Sequence, residues 1–302
     1  METNLAPIVL FAFIRLDTLQ KTVQALKSNR LSEKSDLFVF IDGPKNEEQK
    51  KKQAPLIKYV SDITGFRTIN VKHANKNIGL DPSVISGVTD IIDKYGKVIV
   101  VEDDIVTTPN FLEFMNQALN SYENNMQVMS ISGFGLKVNK PIDYDADVYL
   151  FGRSTSWGWA TWKNRWETVD WEIKDWEEFK SNRNEIRQFK QRGGSDMFSM
   201  LKSCMEGGGM WDIRFCYNMF RQNRYSVVPF LSKVENIGFN ELATHCKTVK
   251  YNRFRYIMDN ELKTTFDMPS DIAPNSIIIK SRLRYQSFSL RLYSKIRNLL
   301  NV

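Results

Sequence analysis

The residues best suited to chemistry are three consecutive acids, Glu102, Asp103 and Asp104, which follow an apolar run ending at Val101. Neighbouring carboxylates at the tip of a buried strand repel one another, so they require a cation or a basic group nearby. Carboxylate oxygens suit Mg²⁺ or Mn²⁺, and such an ion offsets the charge that develops on a leaving phosphate. We expect Asp104 to bind the metal directly, Asp103 to reach a ribose and Glu102 to orient a partner. The alternative is a solvated acidic turn.

A further carboxylate, Asp212, follows three glycines at positions 207–209 and begins an apolar helical pattern that includes Phe215 and Met219. A carboxylate held beside a substrate can act as a general base and take the proton of an attacking hydroxyl group. The glycines would allow a loop to close over that substrate. The alternative is structural, because an acid in the first turn of a helix stabilises the helix dipole.

Two other polar residues directly follow apolar, strand-like runs. Arg15 comes after the first run and suits a diphosphate or a stacked base, because a guanidinium binds phosphate oxygens and stacks on rings. An ordinary surface arginine is the alternative. Asp42 comes after the second run and precedes Gly43 and Pro44, a combination that is typical of a turn. Ligand contact and turn formation are therefore both open for Asp42.

Short apolar strands alternate with helix-like stretches in the first third of the chain. The predicted strands are residues 7–14, 37–41, 68–71 and 97–101. This alternation predicts a largely parallel α/β sheet. Ligands bind outside the carboxyl ends of the strands in such sheets, and Arg15, Asp42 and the three acids follow three of those ends. We therefore expect one shared crevice.

The character of the sequence changes after Ile131, where glycine and tryptophan become frequent. Six of the seven tryptophans lie between positions 157 and 176. Helical patterns over residues 182–205 and 211–223 and a strand over 226–230 follow. We interpret residues 1–130 and residues 131–250 as two halves of one domain, and residues 251–302 as a helical extension.

The composition, with 42% hydrophobic and 25% charged residues, is that of a globular protein. The longest apolar run, residues 6–14, has less than half the length of a membrane-spanning helix, so we expect a cytoplasmic protein. Cys204, Cys216 and Cys246 indicate neither a disulfide framework nor a zinc site. The net charge of +7 comes from the end of the chain, because residues 1–279 hold 36 basic and 35 acidic residues. We therefore expect no nucleic-acid partner.

Short motifs along residues 7–246 occur in an order that resembles the bacterial GT-A glycosyltransferases related to N-acetylglucosaminyltransferase I. The motifs are 12–17 (AFIRLD), 40–45 (FIDGPK), 77–80 (NIGL), 102–104 (EDD), 156–159 (SWGW) with Trp162, 211–212 (WD), and 236–239 (NIGF) with Thr244 and His245. The resemblance implies an α/β fold with a GT-A, Rossmann-like sheet that binds a nucleotide sugar, is flanked by helices and carries an acceptor-side subdomain. The segment after residue 279 would add a basic helical tail.

The resemblance also implies roles for individual residues. Asp42 would recognise the base, through the N3–H of a uracil, and Asp212 would be the catalytic base. Asp104 and His245 would hold the metal ion. Trp157 and Trp159 would line the cleft, because the C–H faces of sugars pack on aromatic rings. The residues expected to bind the nucleotide sugar are Arg15, Asp42, Asn77, Glu102, Asp103, Arg153, Trp157 and Trp159.

These observations predict an inverting glycosyltransferase that moves a sugar from a nucleotide diphosphate sugar to a glycan or glycolipid acceptor, in surface polysaccharide or glycolipid synthesis. UDP is the expected nucleotide, and Mn²⁺ or Mg²⁺ is the expected cofactor. Two alternatives would use the same acids. A metal-dependent hydrolase or nucleotidyltransferase would release free sugar or pyrophosphate instead of a glycoside. A non-catalytic nucleotide-sugar-binding protein would bind the donor without turnover.

The last 23 residues contain six basic residues and no acid. If this segment is helical, four apolar residues form one stripe along it. They are Phe288, Leu292, Ile296 and Leu299. A helix with this stripe and flanking basic residues suits an anionic membrane surface on the inner face of the cell. The alternative is a terminal helix that packs its stripe on the body of the protein.

Overall fold

A computed structural model describes residues 5–238, 251–261 and 263–300. Within these residues the strands are β1 Ile8–Ala12, β2 Asp36–Ile41, β3 Thr68–His73, β4 Lys97–Glu102, β5 Ile105–Thr107, β6 Val128–Ser132, β7 Val148–Phe151, β8 Trp159–Trp162, β9 Tyr225–Pro229 and β10 Val234–Asn236. The helices are α1 Leu16–Lys27, α2 Glu47–Ser61, α3 Leu80–Tyr95, α4 Phe111–Ser121, α5 Lys163–Trp166, α6 Trp176–Ser181, α7 Arg183–Gly193, α8 Met197–Ser203, α9 Trp211–Arg221, α10 Ser276–Leu283 and α11 Phe288–Leu299.

Eight of these strands form one sheet in the order β3-β2-β1-β4-β8-β6-β9-β7, and β5 pairs separately with β10. The first four strands are parallel, which confirms the prediction from the alternating pattern: β1 pairs with β2 and β4, and β2 pairs with β3. β8 is antiparallel to both β4 and β6, and β7 is antiparallel to β9. The complete sheet is therefore mixed, because the second half of the chain adds antiparallel strands beyond β4.

Helices cover both faces of the sheet, because both faces of its parallel strands are apolar. Side chains alternate between the faces of a strand. On β1, Ile8 and Leu10 pack with α1, α2 and α4, whereas Val9 and Phe11 pack with α3 and α9. This arrangement, a central mixed sheet flanked by helices, confirms the predicted α/β class.

The second half of the chain contributes a helical layer beside the sheet. The helical pattern predicted over residues 182–205 forms two helices, α7 and α8, which are separated at Gly194 with its positive φ of 130°. The pattern at 211–223 forms α9. The change of character near residue 130 falls inside β6, so the sheet is continuous between the two halves of the chain.

The basic segment at the end of the chain forms two helices instead of one. α10 begins after Asn275, whose side chain accepts hydrogen bonds from the Ile277 and Ile278 N–H groups, and α11 begins after Ser287, whose hydroxyl accepts from Leu290. Such side chains satisfy the N–H groups of a first helical turn. None of the helices in the described part of the chain is long and apolar enough to cross a membrane.

Candidate functional site

The order of the strands reverses between β1 and β4, and this reversal marks the place of the expected crevice. From β1 the chain passes to β2 and β3 on one side, and it then returns to place β4 on the other side of β1. Ligands bind outside the carboxyl ends of the strands at such a reversal. β1 leads to Arg15 at the start of α1, and β4 ends at Glu102, with Asp103 and Asp104 in the following turn.

Arg15 and the acids form one ion-paired group in this crevice. Arg15 Nη2 lies 2.9 Å from Asp104 Oδ2 and also donates to Asp103 Oδ1. All three side chains are largely buried. Burial raises the pKa of Asp103 to about 6, although the Arg15 charge opposes this increase. Arg15 is therefore a basic group of the kind that the acids require.

Arg15 neutralises the acids only in part. Burial raises the pKa of Glu102 to about 8, and the charges of Asp104, Asp103 and Asp212 add to the increase. Asp104 Oδ1 is buried and has no hydrogen-bond partner within the described residues. Because a buried carboxylate oxygen without a partner is costly, the group has the negative charge and an unpartnered oxygen that a further cation would stabilise.

The turn after β10 covers the acids. β10 pairs with β5 directly after the acidic turn, and the Ile237 N–H donates to the Asp104 carbonyl oxygen at 2.9 Å. Gly238 then lies so close to Asp104 Oδ2 and Arg15 Nη1 that a Cβ atom there would displace them. Any larger residue at this position would therefore disturb the ion-paired group. His245, the second predicted metal ligand, lies outside the described residues.

The side chains fit a metal ion that binds together with a diphosphate. No group of three or more His, Cys, Asp or Glu side chains in residues 5–238, 251–261 and 263–300 is arranged to hold an ion. Mg²⁺ commonly takes one or two carboxylates and completes its octahedral shell with water and substrate phosphates. The unpartnered Oδ1 of Asp104 offers one carboxylate oxygen of this kind.

Helix α9 places Asp212 close enough to the acids for an electrostatic interaction between the carboxylates. The helix begins at Trp211, whose ring packs on Trp159, so that Asp212 lies in its first turn. The Asp212 charge contributes to the raised pKa of Glu102. Burial also raises the pKa of Asp212, whereas Arg153 opposes that increase. A carboxylate with a raised pKa accepts a proton more readily near neutral pH than an ordinary aspartate does.

Arg153, a predicted nucleotide-sugar contact, is held beside Asp212 by another acid. Its Nη1 donates to both carboxylate oxygens of Asp196 at 3.0 Å, and its Nη2 lies 3.4 Å from Met200 Sδ. The Arg153 charge lowers the pKa of Asp212. The fold therefore places a fixed positive charge near the candidate base.

Asp42 joins the loop after β2 to the loop before α3. Its Oδ1 accepts hydrogen bonds from the Gly43 and Ile78 N–H groups at 2.8 and 2.9 Å. Its Oδ2 accepts from Asn77 Nδ2 and from the Gly79 N–H at 2.8 and 3.0 Å. These bonds use the acceptor positions of a carboxylate. Asp42 thus forms the turn, and a base N–H would have to replace one of its present partners.

The two tryptophans of the 156–159 motif have different surroundings. Trp157 is half-buried and packs edge-on against Phe134. Trp159 is 1% exposed and packs with Trp166 and Trp211. The expectation that Trp159 lines the cleft is therefore corrected. Trp159 is the first residue of β8, where strand alternation directs it into the core beneath α3 and α9.

A partly buried ion pair that was not predicted from the sequence connects helices α3 and α9. Arg214 Nη2 donates to Asp81 Oδ2 at 2.5 Å, and Arg214 Nη1 donates to the Trp171 carbonyl oxygen at 2.9 Å. Because Asp81 lies in the first turn of α3, the pair ties that turn to α9 near Asp212. The Asp81 charge also contributes to the raised pKa of Asp212. The position of Asp81 directly after the 77–80 motif was the available signal.

No protein-family model matches the chain, and no curated protein matches its sequence. In structure, the chain is similar to a mannosyltransferase, PcManGT from Pyrobaculum calidifontis in complex with GDP-Man and Mn²⁺, with 9% identity, a TM-score of 0.35, and coverage of 54% of this chain and 48% of that chain. It is also similar to S. aureus TarS, with 8% identity, a TM-score of 0.42, and coverage of 74% of this chain and 35% of that chain. The similarity to S. aureus TarS 1–349 has 10% identity, a TM-score of 0.41, and coverage of 75% of this chain and 58% of that chain.

The chain thus spans between 35% and 58% of the length of these neighbours. At such identities and TM-scores, the similarity assigns no residue role and no substrate to this chain.

Proposed function

We propose that the chain is a GT-A-type glycosyltransferase that uses a nucleotide diphosphate sugar, with UDP as the nucleotide, and transfers the sugar with inversion to a hydroxyl group of a glycan or glycolipid. The observation that carries the proposal is the group of charged residues at the carboxyl ends of β1 and β4, where the strand order reverses. An incompletely neutralised acid cluster lies there in charge range of Asp212, a carboxylate of raised pKa on a different element. The acid cluster suits binding of the donor diphosphate, and Asp212 suits removal of the proton from the acceptor hydroxyl group.

The acids and Arg15 would bind the donor diphosphate. Mn²⁺ or Mg²⁺ held by Asp104, with His245 as a further ligand, would offset the negative charge that develops on the departing diphosphate. Arg15, already fixed by Asp103 and Asp104, adds positive charge at the same place. The unpartnered Asp104 Oδ1 supports this arrangement.

The nucleoside would lie across the ends of β1 and β2, which are adjacent strands. Asp42, in the loop after β2, and Asn77, in the loop before α3, would bind the base. Asp103 would accept a hydrogen bond from a ribose hydroxyl group. Glu102, whose pKa is raised by burial and by the neighbouring acids, would orient a neighbouring group.

Asp212 would act as the general base. The oxygen of the acceptor hydroxyl attacks the anomeric carbon while the bond from that carbon to the diphosphate oxygen breaks. The bonding electron pair leaves with the nucleotide diphosphate, and the hydroxyl proton passes to the Asp212 carboxylate. Attack opposite the leaving group inverts the configuration of the anomeric carbon. The half-buried Trp157 would contribute an aromatic surface for a sugar.

The proposal is tested first by a thermal-shift panel of nucleotide sugars with and without Mn²⁺, because a ligand that binds only the folded protein raises its melting temperature. The donor found in this way is then incubated with glycan and glycolipid acceptors, and the products are identified by mass spectrometry. We expect a glycoside and free nucleotide diphosphate. Free sugar or pyrophosphate would instead identify a hydrolase or nucleotidyltransferase, and donor binding without any turnover would identify a binding protein.

Asp212→Asn separates catalysis from helix stabilisation. We expect this variant to bind the donor normally and to lose about 10²-fold or more in kcat, the usual effect of removing a general base. Glu47→Gln is the matched control, because Glu47 is an exposed acid in the first turn of α2. Equal losses of donor binding and turnover in Asp212→Asn would indicate a structural role.

A further inference from the structure

Helix α11 carries its apolar stripe on the side that faces solvent. Phe288, Leu292, Ile296 and Leu299 recur at spacings of four, four and three and therefore share one face. Their side chains are 70%, 46%, 45% and 72% exposed. A surface helix ordinarily buries its apolar face, so this orientation is the reverse of the usual one.

The opposite, polar face holds α11 to the body. Arg291 Nη1 donates to Ser195 Oγ at 3.2 Å, and Ser294 is buried. Asn298 Oδ1 accepts from the Tyr251 N–H at 2.8 Å, and Asn298 Nδ2 donates to the Tyr251 carbonyl oxygen at 3.1 Å. These contacts fix the rotation of the helix about its axis. The exposure of the stripe is thus a consequence of specific bonds on the other side.

Basic residues surround the stripe. Lys295 on α11 and Arg284 in the turn before it are exposed, and residues 272–302 contain no acid. Ser195, the partner of Arg291, also borders a groove on α7 that Arg183, Arg187 and Lys190 line. All three of those side chains are exposed. The positive surface therefore continues from α11 onto α7.

We propose that α11 binds an anionic lipid bilayer, with its apolar stripe inserted at the level of the headgroups and the surrounding basic residues against the lipid phosphates. Charge complementarity favours this partner, because a helix with an apolar face and a basic rim is the arrangement that interfacial helices use. Each basic residue near such a surface contributes ~1 kcal/mol, which is a factor of about five in affinity. The residues of the stripe are different from those assigned to the donor and acceptor.

The proposal is tested with the full chain by co-sedimentation with vesicles of phosphatidylcholine alone or mixed with phosphatidylglycerol. We expect binding to the mixed vesicles only, and weaker binding as salt screens the charges. Phe288→Ser/Leu292→Ser/Leu299→Ser should lose at least 10-fold in vesicle affinity while its melting temperature stays unchanged, because these side chains are already exposed. Arg284→Gln/Lys295→Gln should lose about fivefold for each charge and show a weaker salt dependence.

Val71→Ser/Met126→Ser is the matched control. Both side chains are 45% exposed. Val71 lies on β3 at one edge of the sheet, whereas α10 packs on β7 at the other edge. This control should bind mixed vesicles as the unmodified protein does. Equal binding to neutral and anionic vesicles, full binding by the stripe variant, or a lowered melting temperature of that variant would overturn the proposal. The proposal would also be overturned if the unmodified protein bound no vesicles and formed a dimer that the stripe variant did not form, because the stripe would then be a contact between two copies of the chain.

Truncation is a weaker test than these substitutions. α10 packs Ile278 and Arg282 into the body, where the Arg282 guanidinium lies over the Phe151 ring. Removing the chain from residue 280 onward would delete Arg282 and would destabilise the fold irrespective of any membrane contact. Point changes in α11 leave α10 intact, so loss of vesicle binding reports on the stripe.

Discussion

Gly238 lies directly against the Asp104 carboxylate, and the residue before it, Ile237, donates its N–H to the Asp104 carbonyl oxygen. The turn that follows β10 therefore sets the position of the acid that we propose as the metal ligand. The two residues are far apart in the chain and meet because β10 pairs with β5.

Gly238→Ala should abolish metal-dependent donor binding. A Cβ atom at this position overlaps the Asp104 carboxylate and approaches Arg15 Nη1, so either the acid or the turn must move. Relief of such overlap typically costs 1–3 kcal/mol, which we expect as a lowered free energy of unfolding. Donor affinity is measured by titration calorimetry with Mn²⁺, and circular dichroism checks the fold. Unchanged affinity in a folded variant would contradict the assignment of the acids.

Asp104→Asn should remove the response of donor binding to Mn²⁺ while leaving the fold intact. The substitution removes one negative ligand charge with little change in shape, and the amide oxygen can still accept from Arg15. Thermal shifts with donor are compared in Mn²⁺ and in EDTA. Asp17→Asn is the control, because Asp17 is an exposed acid close to Arg15 in the chain. An undiminished Mn²⁺ effect in Asp104→Asn would reject the metal role.

The pH profile of kcat should have an acid limb at a pH above about 4, which is the pKa of an ordinary aspartate. A general base must be ionised, so the rate falls as pH decreases through the pKa of Asp212, which burial raises. Arg153 opposes that increase, and hence Arg153→Gln should move the limb to higher pH. The control Arg192→Gln removes a cation that stacks on Tyr225, and it should leave the limb in place. A limb near pH 4 in all three proteins would exclude Asp212 as the base.

Asp42→Ala should destabilise the fold as well as weaken donor binding. The carboxylate accepts bonds from three backbone N–H groups and from Asn77, so its loss should lower the free energy of unfolding by about 1–3 kcal/mol. Chemical denaturation measures this change. Asp62→Ala, an exposed aspartate after α2, is the control. A variant of normal stability that lost only donor affinity would show that ligand contact is the main role of Asp42.

The local pattern of the sequence was sufficient to predict the first four strands, their parallel direction and the polar residues at their ends. Apolar alternation and the residues that interrupt it are local properties, and the burial of both sheet faces follows from them. A shared edge for Arg15 and the acids followed from the same pattern, because parallel strands end at the same edge of the sheet, but the strand order of the structure made β1 and β4 neighbours.

Contacts between distant segments could not be predicted in this way, because packing selects one partner among many of similar chemistry. Asp81 and Arg214, separated by 133 positions, became an ion pair only when α3 and α9 packed on the same face of the sheet. The same packing buried Trp159 and brought Asp212 into charge range of Glu102. A periodic stripe at the end of the chain predicted an amphipathic helix, but its outward direction was set by the bonds of Arg291 and Asn298 to the body.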